Sequence, residues 1–481
     1  MAELLHPGIY NVEVPTAPPV EGVATTTASF VGVTERGVIG KATLVTSWTQ
    51  FVEKFGSYVK YSYLAYSVRG FFENGGTRAY ITRVVKTTNG KPDATKSSVT
   101  LGAQDAPFLI FDALSEGSYG DKLSVEIANV DRALFDVIVL ENGVVKEKTS
   151  GVSLLTIEDK LNSTSKFVKA TVVDDEGVVE KGVFKLAGGK DGYVGITTAD
   201  YIGDEAKGTG LYSLNNIDVN FVSIPGVTDT AVVKGLQDYV ANRNDAYAII
   251  ETPFGRTPET ALAFKREEAN LSAKTAGVYY PWVKISDPIG VGKTPTKFVP
   301  PSGHIAGVFA RTLAERGVWK APAGLEAKLR GALEVEYSVN DAEHDLLNPA
   351  GINVIRAFSG EGIVIWGARN SDVNSDHKYI PDTVTMQYVR KSLTQSTRWA
   401  IFEPNDEKLF EKIQATGEEF LRGLWQAGGL RGTTEAEAFY FICNSETTTI
   451  EDIQNGRTFA DWGIATQKPS EFLVYRQSLR K

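Results

Sequence analysis

The sequence predicts a multidomain α/β protein: a layered α/β core with a β-rich insertion domain and extended arms at both ends. Three observations support this fold class. From about residue 211, strand-like apolar runs alternate with helical patterns, which is typical of a mainly parallel, layered sheet. Between residues 93 and 195, helical patterns nearly vanish and turn signals separate short strands. Residues 348–370 hold the densest run of β-branched and aromatic residues, with an explicit turn in the middle.

Length and composition bound the class of protein. A chain of 481 residues and 52.2 kDa is too long for one hydrophobic core, so about three domains are expected. Hydrophobic residues make up 42% and charged residues 23%, as in ordinary folded proteins, and no stretch approaches the ~20 apolar residues that cross a bilayer. The first residues, MAELLHPGIYNVEVP, lack the basic and apolar regions of a secretory signal, which predicts assembly in a cytosol.

Charge and cysteine content exclude further classes. The net charge of −9 and the pI near 5.3 argue against a nucleic-acid partner, which normally requires a clustered basic face. The single cysteine, Cys443, allows no internal disulfide and lies in the apolar run AFYFICN, which favours a buried small hydrophobe over redox chemistry.

Residues 1–20 are predicted to form an N-terminal arm. The segment PGIYNVEVP alternates, which places Tyr10, Val12 and Val14 on one side of an extended piece. Pro7 and Pro15 enclose it and prevent continuation into a helix. The pattern fits both an arm that pairs with another chain and the first strand of this chain's own domain.

Residues 21–92 are predicted to be the N-terminal part of the core. The run GVATTTASFVGV suits a buried strand, and SWTQ spells a capping box before a short helix that ends at Gly56. A second helix over about 62–73 precedes the strand TRAYITRVV.

Residues 93–195 are predicted to be a β-rich peripheral insertion domain. The dipeptide Asn142-Gly143 marks a tight hairpin turn. The segment contains no tryptophan, and 17 acidic against 11 basic residues give it a net charge of −6. Solvated strand faces explain this balance more simply than a binding site does.

Residues 196–345 are predicted to form an α/β domain. The strands VNFVSIPG, AYAIIETPFG and GVYYPWVKI alternate with helices near 229–241, 258–273 and 302–316.

Residues 346–465 are predicted to be the C-terminal α/β core domain. Two apolar runs, Ile352 to Phe358 and Ile363 to Trp366, form a hairpin through a turn that contains Gly360 and Gly362. A helix near 383–396, the strand RWAIFEP, a helix near 406–426 that Asn405 can cap, the strand AFYFICN and a final strand region follow in that order. Four of the seven tryptophans (366, 399, 425 and 462) lie here, which predicts that this part holds the most heavily packed core.

Residues 466–481 are predicted to form a C-terminal arm. Leu473, Tyr475 and Leu479 make one apolar row, opposed by Phe472 and Val474. Unpaired strands at both chain ends predict pairing with another chain. The strands that contain Phe358 and Phe439 are the predicted receiving sheet in the C-terminal domain.

No residue pattern supports catalysis, a cofactor or a metal. The segment DPIGVGKTPTK contains GKT, but Asp287 replaces a required glycine and Pro295 follows where a helix should start. A serine protease would need a histidine base; His304 is the best candidate, yet no G-x-S-x-G elbow surrounds any serine, which favours a structural histidine. The histidines are scattered and Cys443 has no partner at ligand spacing, so no metal site is predicted.

Two longer segments resemble the contractile tail sheath family of bacteriophages and phage-derived injection devices. They are NPAGINVIR with IVIWGARN after the glycine turn, and VPPSGHIAGVFARTLAERGVWKAPAG. The resemblance implies a subtilisin-like, non-catalytic fold for residues 196–345 and a peripheral position for the insertion. It also implies that many copies form stacked hexameric rings, linked by their N- and C-terminal arms, around an inner tube.

The resemblance further implies the partners: the chain itself, an inner tube protein, and baseplate and terminal cap proteins, with no nucleic acid and no direct membrane insertion. The sheath would shorten to drive the tube through a target envelope, after assembly in the bacterial cytoplasm into a virion tail or injection particle. The C-terminal domain would face the tube, with Arg422 and Arg431 as the tube-facing residues. The alternative function is a soluble hydrolase built on the α/β region; tubes rather than small closed oligomers in solution would separate the two.

Overall fold

The structure is a computed structural model, and it describes residues 22–103 and 105–473 of the chain. Within these ranges the residues form two compact units. The larger unit holds residues 25–316 and 321–380, and the smaller unit holds residues 22–24, 317–320 and 381–473. No helix in the described ranges combines the length and the apolar character needed to cross a bilayer.

An eight-stranded sheet forms the core of the larger unit. Its six central strands are parallel, and one antiparallel strand lies at each end. In spatial order the strands are Thr43–Val45, Arg78–Arg83, Thr27–Gly32, Phe221–Ser223, Tyr247–Glu251, Ala276–Tyr280, Ile352–Phe358 and Gly362–Ile365. Four of the central strands are buried over their whole length, because helices cover both faces of a parallel sheet. The predicted layered α/β fold is confirmed.

The helices of the larger unit largely begin where the sequence predicts. The Ser47 hydroxyl accepts from the Gln50 N–H at 3.2 Å, which confirms the predicted cap. The α-helices are Trp48–Phe55, Leu64–Glu73, Ile157–Thr164, Thr198–Ile202, Thr230–Arg243, Pro258–Ala263, Ser302–Arg316 and Asp341–Leu347. Short 3₁₀ turns lie at Ser118–Lys122, Gly210–Leu214 and Asn348–Ala350.

The helix predicted over 258–273 is wrong in its second half. The α-helix Pro258–Ala263 passes into a single π-helical turn, Phe264–Glu268. Asn270 then takes a left-handed conformation, with a φ of 47°, which a continuing right-handed helix does not allow.

The insertion consists of two antiparallel sheets with a core of their own. The first contains, in spatial order, Val144–Val152, Leu134–Glu141, Leu123–Asp131 and Gly182–Lys185, and the second contains Val168–Val172, Ala106–Glu116 and Lys96–Ala103. Phe111, Phe135 and Leu161 lie in the common core, each almost fully buried. Asn142 and Gly143 have φ values of 49° and 81°, so the predicted hairpin turn is confirmed.

The hairpin predicted from residue 352 is present, but it belongs to a different part of the chain than predicted. Its strands are Ile352–Phe358 and Gly362–Ile365, with Phe358 opposite Gly362. The first strand pairs in parallel with Ala276–Tyr280, so the hairpin completes the eight-stranded sheet of the larger unit. The predicted domain boundary at 346 is therefore wrong. An apolar strand needs cover on both faces, and the central sheet supplies it.

Two small sheets complete the larger unit. One contains Thr296–Val299, Val283–Ser286 and Glu334–Val335, and the other contains Thr87–Thr88 and Lys91–Pro92.

The smaller unit packs helices against one short sheet. Its α-helices are Ile380–Ser396, of which the first residue belongs to the larger unit, Glu407–Gln426, Glu435–Ala438 and Ile450–Gln454, with a 3₁₀ turn at Arg398–Ala400. Its strands are Phe439–Ile442 and Asp461–Ile464. The buried face of the long helix Glu407–Gln426 contains Leu409, Phe410, Ile413, Leu421 and Leu424.

Two local predictions for the smaller unit are wrong. Asp406, not Asn405, caps the long helix, because its carboxylate accepts from the Leu409 N–H at 3.0 Å. The segment RWAIFEP is not a strand: it is the 3₁₀ turn Arg398–Ala400 followed by Phe402, which is fully exposed with a φ of 72°.

The tryptophans do not mark the most heavily packed core. Trp366, Trp399, Trp425 and Trp462 all remain partly exposed. Trp282, in the larger unit, is buried and donates to the Thr252 carbonyl at 2.7 Å. A large ring with one polar atom often lies at a core margin rather than at its centre, so tryptophan count was a poor guide.

Candidate assembly surfaces

The two-stranded sheet of the smaller unit has free edges in the described part of the chain. Phe439–Ile442 and Asp461–Ile464 pair antiparallel with each other, and no other described strand joins either of them. Phe439 and Phe441 point into the core, whereas Tyr440 and Ile442 are 55% and 39% exposed. An isolated pair of strands is marginally stable in water, so this sheet offers both backbone groups and apolar side chains to a further strand.

The predicted arm residues fall mostly outside the described ranges. Tyr10, Val12, Val14, Val474, Tyr475 and Leu479 all lie there. Phe472 and Leu473 are the last residues described, and they are 72% and 74% exposed. Two consecutive apolar side chains in the described part of the predicted C-terminal arm are therefore open to solvent.

The edges of the Phe358 strand are partly occupied. Residues 352–354 pair with Ala276–Tyr280 on one side, and residues 355–358 pair with Gly362–Ile365 on the other. The outer edge of the hairpin is covered as well, since the Ile365 N–H donates to the Ala327 carbonyl at 3.1 Å and the Leu329 N–H to the Ile363 carbonyl at 2.9 Å. Of the two predicted receiving strands, the Phe439 strand has one edge that no described strand occupies along its whole length.

The two predicted tube-facing arginines differ in their surroundings. Arg422 forms an ion pair with Glu435, 2.7 Å from Nε to Oε1, and Glu418 lies 4.0 Å away. The Glu435 carboxylate raises the pKa of Arg422 and the guanidinium lowers the pKa of Glu435. Arg431 is exposed and forms no ion pair with a described residue; its backbone N–H donates to the Ala465 carbonyl at 2.8 Å. Arg431 is the freer of the two charges.

His304 lies where no substrate fits. The side chain is buried between the helices Leu64–Glu73 and Ser302–Arg316, and burial lowers its pKa to about 4. A Cβ placed on Gly70 would lie 2.6 Å from the His304 ring, and one placed on Gly303 would lie 2.1 Å from the Ser67 carbonyl oxygen. The two helices are in direct backbone contact here, which leaves no cleft beside the imidazole.

The segment around GKT is a hairpin loop. Residues 287–295 connect Val283–Ser286 with its antiparallel partner Thr296–Val299, so no helix follows to direct backbone N–H groups at a phosphate. Asp287 accepts from the Tyr66 hydroxyl at 2.8 Å, and Val291 at the tip is fully exposed. In the described residues, no group of three histidine, cysteine or acidic side chains has the geometry of a metal site. Burial raises the pKa of Cys443 to about 11, as expected for a buried thiol.

A buried cation connects the insertion to the core of the larger unit. Arg83 ends a strand of the central sheet, and its guanidinium has no solvent exposure. One terminal nitrogen donates to the Gly37 carbonyl at 2.9 Å, to the Glu116 carbonyl at 3.0 Å and to the Ser115 hydroxyl at 3.2 Å. Burial outweighs the nearby carboxylates and lowers the pKa of Arg83. The joint is therefore polar, specific and sensitive to loss of its acceptors.

Sequence reasoning missed one buried contact in the smaller unit. The Asp382 carboxylate, with no solvent exposure, lies 2.5 Å from the ammonium nitrogen of Lys468. Asp382 belongs to the first turn of a helix, and Lys468 precedes Pro469. Eighty-six residues separate them, so no local pattern signals the pair; an acidic residue in a first helical turn is ordinarily explained by the helix dipole.

Two parts of the chain match domains of known proteins. Residues 195–371 match the phage tail sheath protein central domain, and residues 372–480 match the phage tail sheath C-terminal domain. The tail sheath protein of Vibrio phage KVP40 is 22% identical over 331 residues, which is 63% of this chain and 48% of that protein. A putative prophage major tail sheath protein of Pseudomonas aeruginosa is 26% identical over 219 residues, 45% of this chain and 54% of that protein. The chain thus matches about half the length of these curated relatives.

Solved structures share the fold over nearly the whole chain. The sheath complex of an extracellular contractile injection system, PVC, in its contracted state has a TM-score of 0.61 at 21% identity, covering 99% of this chain and 98% of that one. A sheath tail protein from Listeria innocua has a TM-score of 0.66 at 14% identity, covering 93% of this chain and 96% of that one.

Proposed function

The chain belongs to the phage tail sheath family, and from this premise we propose that it is a structural subunit of a contractile sheath. Copies polymerise as stacked hexameric rings around an inner tube and shorten together to drive the tube through a target cell envelope. The subunit acts by assembly and repacking rather than by catalysis. The hydrolase alternative is not favoured, because the best candidate base, His304, has no cleft beside it.

The observation that carries this proposal is the open two-stranded sheet of the smaller unit. Tyr440 and Ile442 expose apolar surface on strands whose outer edges no described strand occupies. Strand addition from a neighbouring copy satisfies the backbone groups and buries these side chains. Because the contact joins one site on a subunit to a different site on the next, it is heterologous and generates rings and helical stacks.

The added strands are the two arms. The N-terminal arm supplies Tyr10, Val12 and Val14, and the C-terminal arm supplies Phe472, Leu473, Val474, Tyr475 and Leu479. Burial of each large apolar side chain stabilises the junction by roughly 1.5 to 3 kcal/mol before ordering costs. Each arm therefore contributes several kcal/mol, repeated at every subunit of a ring.

The other partners follow from the same proposal. An inner tube protein, a baseplate and a terminal cap hold the extended sheath, whose lifetime is then set by a barrier rather than by equilibrium stability. Arg431, with Arg422 beside Glu435, faces the tube. Subunits assemble in the bacterial cytoplasm and end in a virion tail or a released injection particle.

Truncation of each arm tests the proposal. Chains lacking residues 1–15 or residues 470–481 are expected to remain folded monomers, because neither cut removes a described buried residue, and to form no tubes in electron micrographs. The matched control replaces Ile9, Asn11 and Glu13, which the alternating pattern predicts on the side opposite the apolar row, with serine. Normal long tubes from both truncated chains would show that the arms do not hold a sheath together.

A further inference from the structure

The helix Ile380–Ser396 holds the chain at both places where the predicted arms begin. At its N-terminal end, Asp382 pairs with Lys468, one residue before Pro469. At its C-terminal end, the Ser392 hydroxyl accepts from the Val23 N–H at 3.4 Å. The two contacts are ten residues apart, which is about 15 Å along one helix axis.

The C-terminal contact is built on two sides. Lys468 supplies the ion pair to the helix, while the side chain of Gln467 donates to the Leu430 carbonyl at 3.1 Å and the Gly428 carbonyl at 3.3 Å. Thr466 forms a β-bridge with Leu430. Residues 466–468 are thus fixed between the helix and the segment 428–431.

At the N-terminal contact, the backbone of Gly22 lies so close to Tyr388 that a side chain at position 22 would collide with the tyrosine. A Cβ on Gly22 would lie 2.2 Å from the Tyr388 hydroxyl oxygen, inside van der Waals contact, so no other residue passes here without displacing that ring. Ser392 beneath it is fully buried, and burial raises the pKa of Tyr388 while a hydrogen bond from Ser392 opposes this shift.

One side of the helix is buried in the smaller unit. Asp382, Val389, Ser392 and Leu393 are all buried and share this side, and Val389 and Leu393 belong to the unit's apolar core. Among the described residues, the Asp382 carboxylate makes one strong contact: Oδ1 is buried without a hydrogen-bond partner, and Oδ2 meets Lys468. Loss of Lys468 would leave a buried, unpaired charge at the start of this helix.

We propose that the helix Ile380–Ser396 holds the starts of both arms in place, and we call it the shared bracket. The Asp382–Lys468 ion pair is the positioning contact that sets the direction in which the C-terminal arm leaves the helix. A displacement at either contact is transmitted through the helix to the other. In a sheath, this couples the junction made by one arm to the junction made by the other, and this biological role rests on the proposed function.

The coupling is tested in the dispersed full-length chain by hydrogen exchange of peptides covering residues 22–26 and 465–468. The double variant Asp382→Asn with Lys468→Met removes both charges and leaves none buried. We expect exchange at 465–468 to rise about tenfold and exchange at 22–26 to rise several-fold. The control, Lys234→Met with Asp238→Asn, removes a half-exposed ion pair of the larger unit and should change neither peptide. Unchanged exchange at 22–26 in the double variant would overturn the shared bracket.

The double variant can be tested for unfolding by its exchange: fast exchange throughout Glu407–Gln426 would reveal an unfolded chain. In that case a second variant, which perturbs the other contact, keeps the test decisive. Ser392→Ala removes the acceptor for Val23 and the hydrogen bond to Tyr388, both at the N-terminal contact, and because coupling is reciprocal it must accelerate exchange at 465–468. No acceleration there would overturn the proposal. Tube formation is scored separately: several-fold fewer tubes than the control supports the positioning role, and normal tubes contradict it. Since exchange needs no assembly, failure of the wild-type chain to form tubes would count against the proposed function alone.

Discussion

The insertion and the smaller unit each present a sheet edge, and the two edges are built differently. The insertion's edge strand, Val144–Val152, carries two lysines, Lys146 and Lys148, paired with Glu141 and Asp136 of the same sheet. Its pairing shifts register twice, between residues 145 and 147 and between 149 and 152. The strand Phe439–Ile442 of the smaller unit reads FYFI, with no charge, no proline and no register shift.

The difference supports the proposal that assembly uses the smaller unit's edge. Lysines and bulges keep an edge strand from pairing with other chains, and the insertion uses both devices. The smaller unit uses neither at Phe439–Ile442, although its strand is apolar on both faces. A subunit that polymerises must restrict pairing to chosen edges. The contrast indicates that the insertion's edge is protected and the smaller unit's edge is offered.

Charging the offered edge should have the largest effect. The double substitution Tyr440→Lys with Ile442→Lys places two lysines at exposed positions of the strand. Phe439 and Phe441, which point into the core, are unchanged, so the core stays intact. Each lost apolar burial weakens a junction by roughly 1.5 to 3 kcal/mol, and we expect tubes to disappear in electron micrographs while the melting temperature stays within a few degrees. The matched control is Val144→Lys with Val145→Lys on the protected edge. Equal tube loss in both variants would remove the distinction between the edges.

Reversing two charges of the smaller unit should affect a different contact. Arg422→Glu together with Arg431→Glu is expected to weaken attachment to the inner tube, measured by co-sedimentation over a range of salt, and to leave sheath self-assembly unchanged. Arg431→Glu alone should account for most of the effect, because Glu435 already neutralises Arg422. Tube binding that is unaltered by the double reversal at every salt concentration would exclude both residues.

Removing the protection from the insertion should have a smaller effect. Lys146→Thr with Lys148→Thr keeps β-propensity but deletes both edge charges, and we expect the dispersed subunit to self-associate through Val144–Val152. Light scattering over time would detect this association. Lys169→Thr, at an exposed position on the strand Val168–Val172 of the insertion's other sheet, is the control for loss of a surface charge. A monodisperse double variant would mean that the register shifts alone protect the edge.

Deleting the insertion should change assembly least. The ends of segment 93–195 lie close together, since the Lys86 N–H donates to the Gly192 carbonyl at 2.6 Å and the Asp93 N–H to the Lys86 carbonyl at 2.8 Å. A short Gly/Ser bridge can therefore span the gap, and we predict that rings still form because these residues are predicted to lie on the outer surface. Arg83 loses its acceptors on Ser115 and Glu116, so the deletion should be combined with Arg83→Gln.

An insoluble product, or one that cannot polymerise, would show that the insertion is part of the core. Replacing Arg83 with glutamine in the full-length chain separates damage to the joint from loss of the insertion. That variant should melt earlier than the wild-type chain and still assemble.

The sequence by itself determined the features that depend on a few adjacent residues. Ser47 caps its helix, Asn142-Gly143 turns its hairpin, and the glycines at 360 and 362 connect the strands that begin at Ile352, all as predicted. In each case the responsible hydrogen bond or dihedral angle lies within four residues of the signal. The apolar stripe of Glu407–Gln426 could also be predicted from the sequence, because helical periodicity is a local property.

Only the tertiary structure decided which elements meet. The hairpin strand Ile352–Phe358 was correct as a strand but assigned to the wrong unit, because its partner Ala276–Tyr280 lies more than seventy residues away. Asp382 and Lys468 show the same limit. Strand pairing and buried ion pairs depend on long-range geometry, which the free energy of the whole fold determines. Local sequence patterns therefore do not predict which distant residues pair.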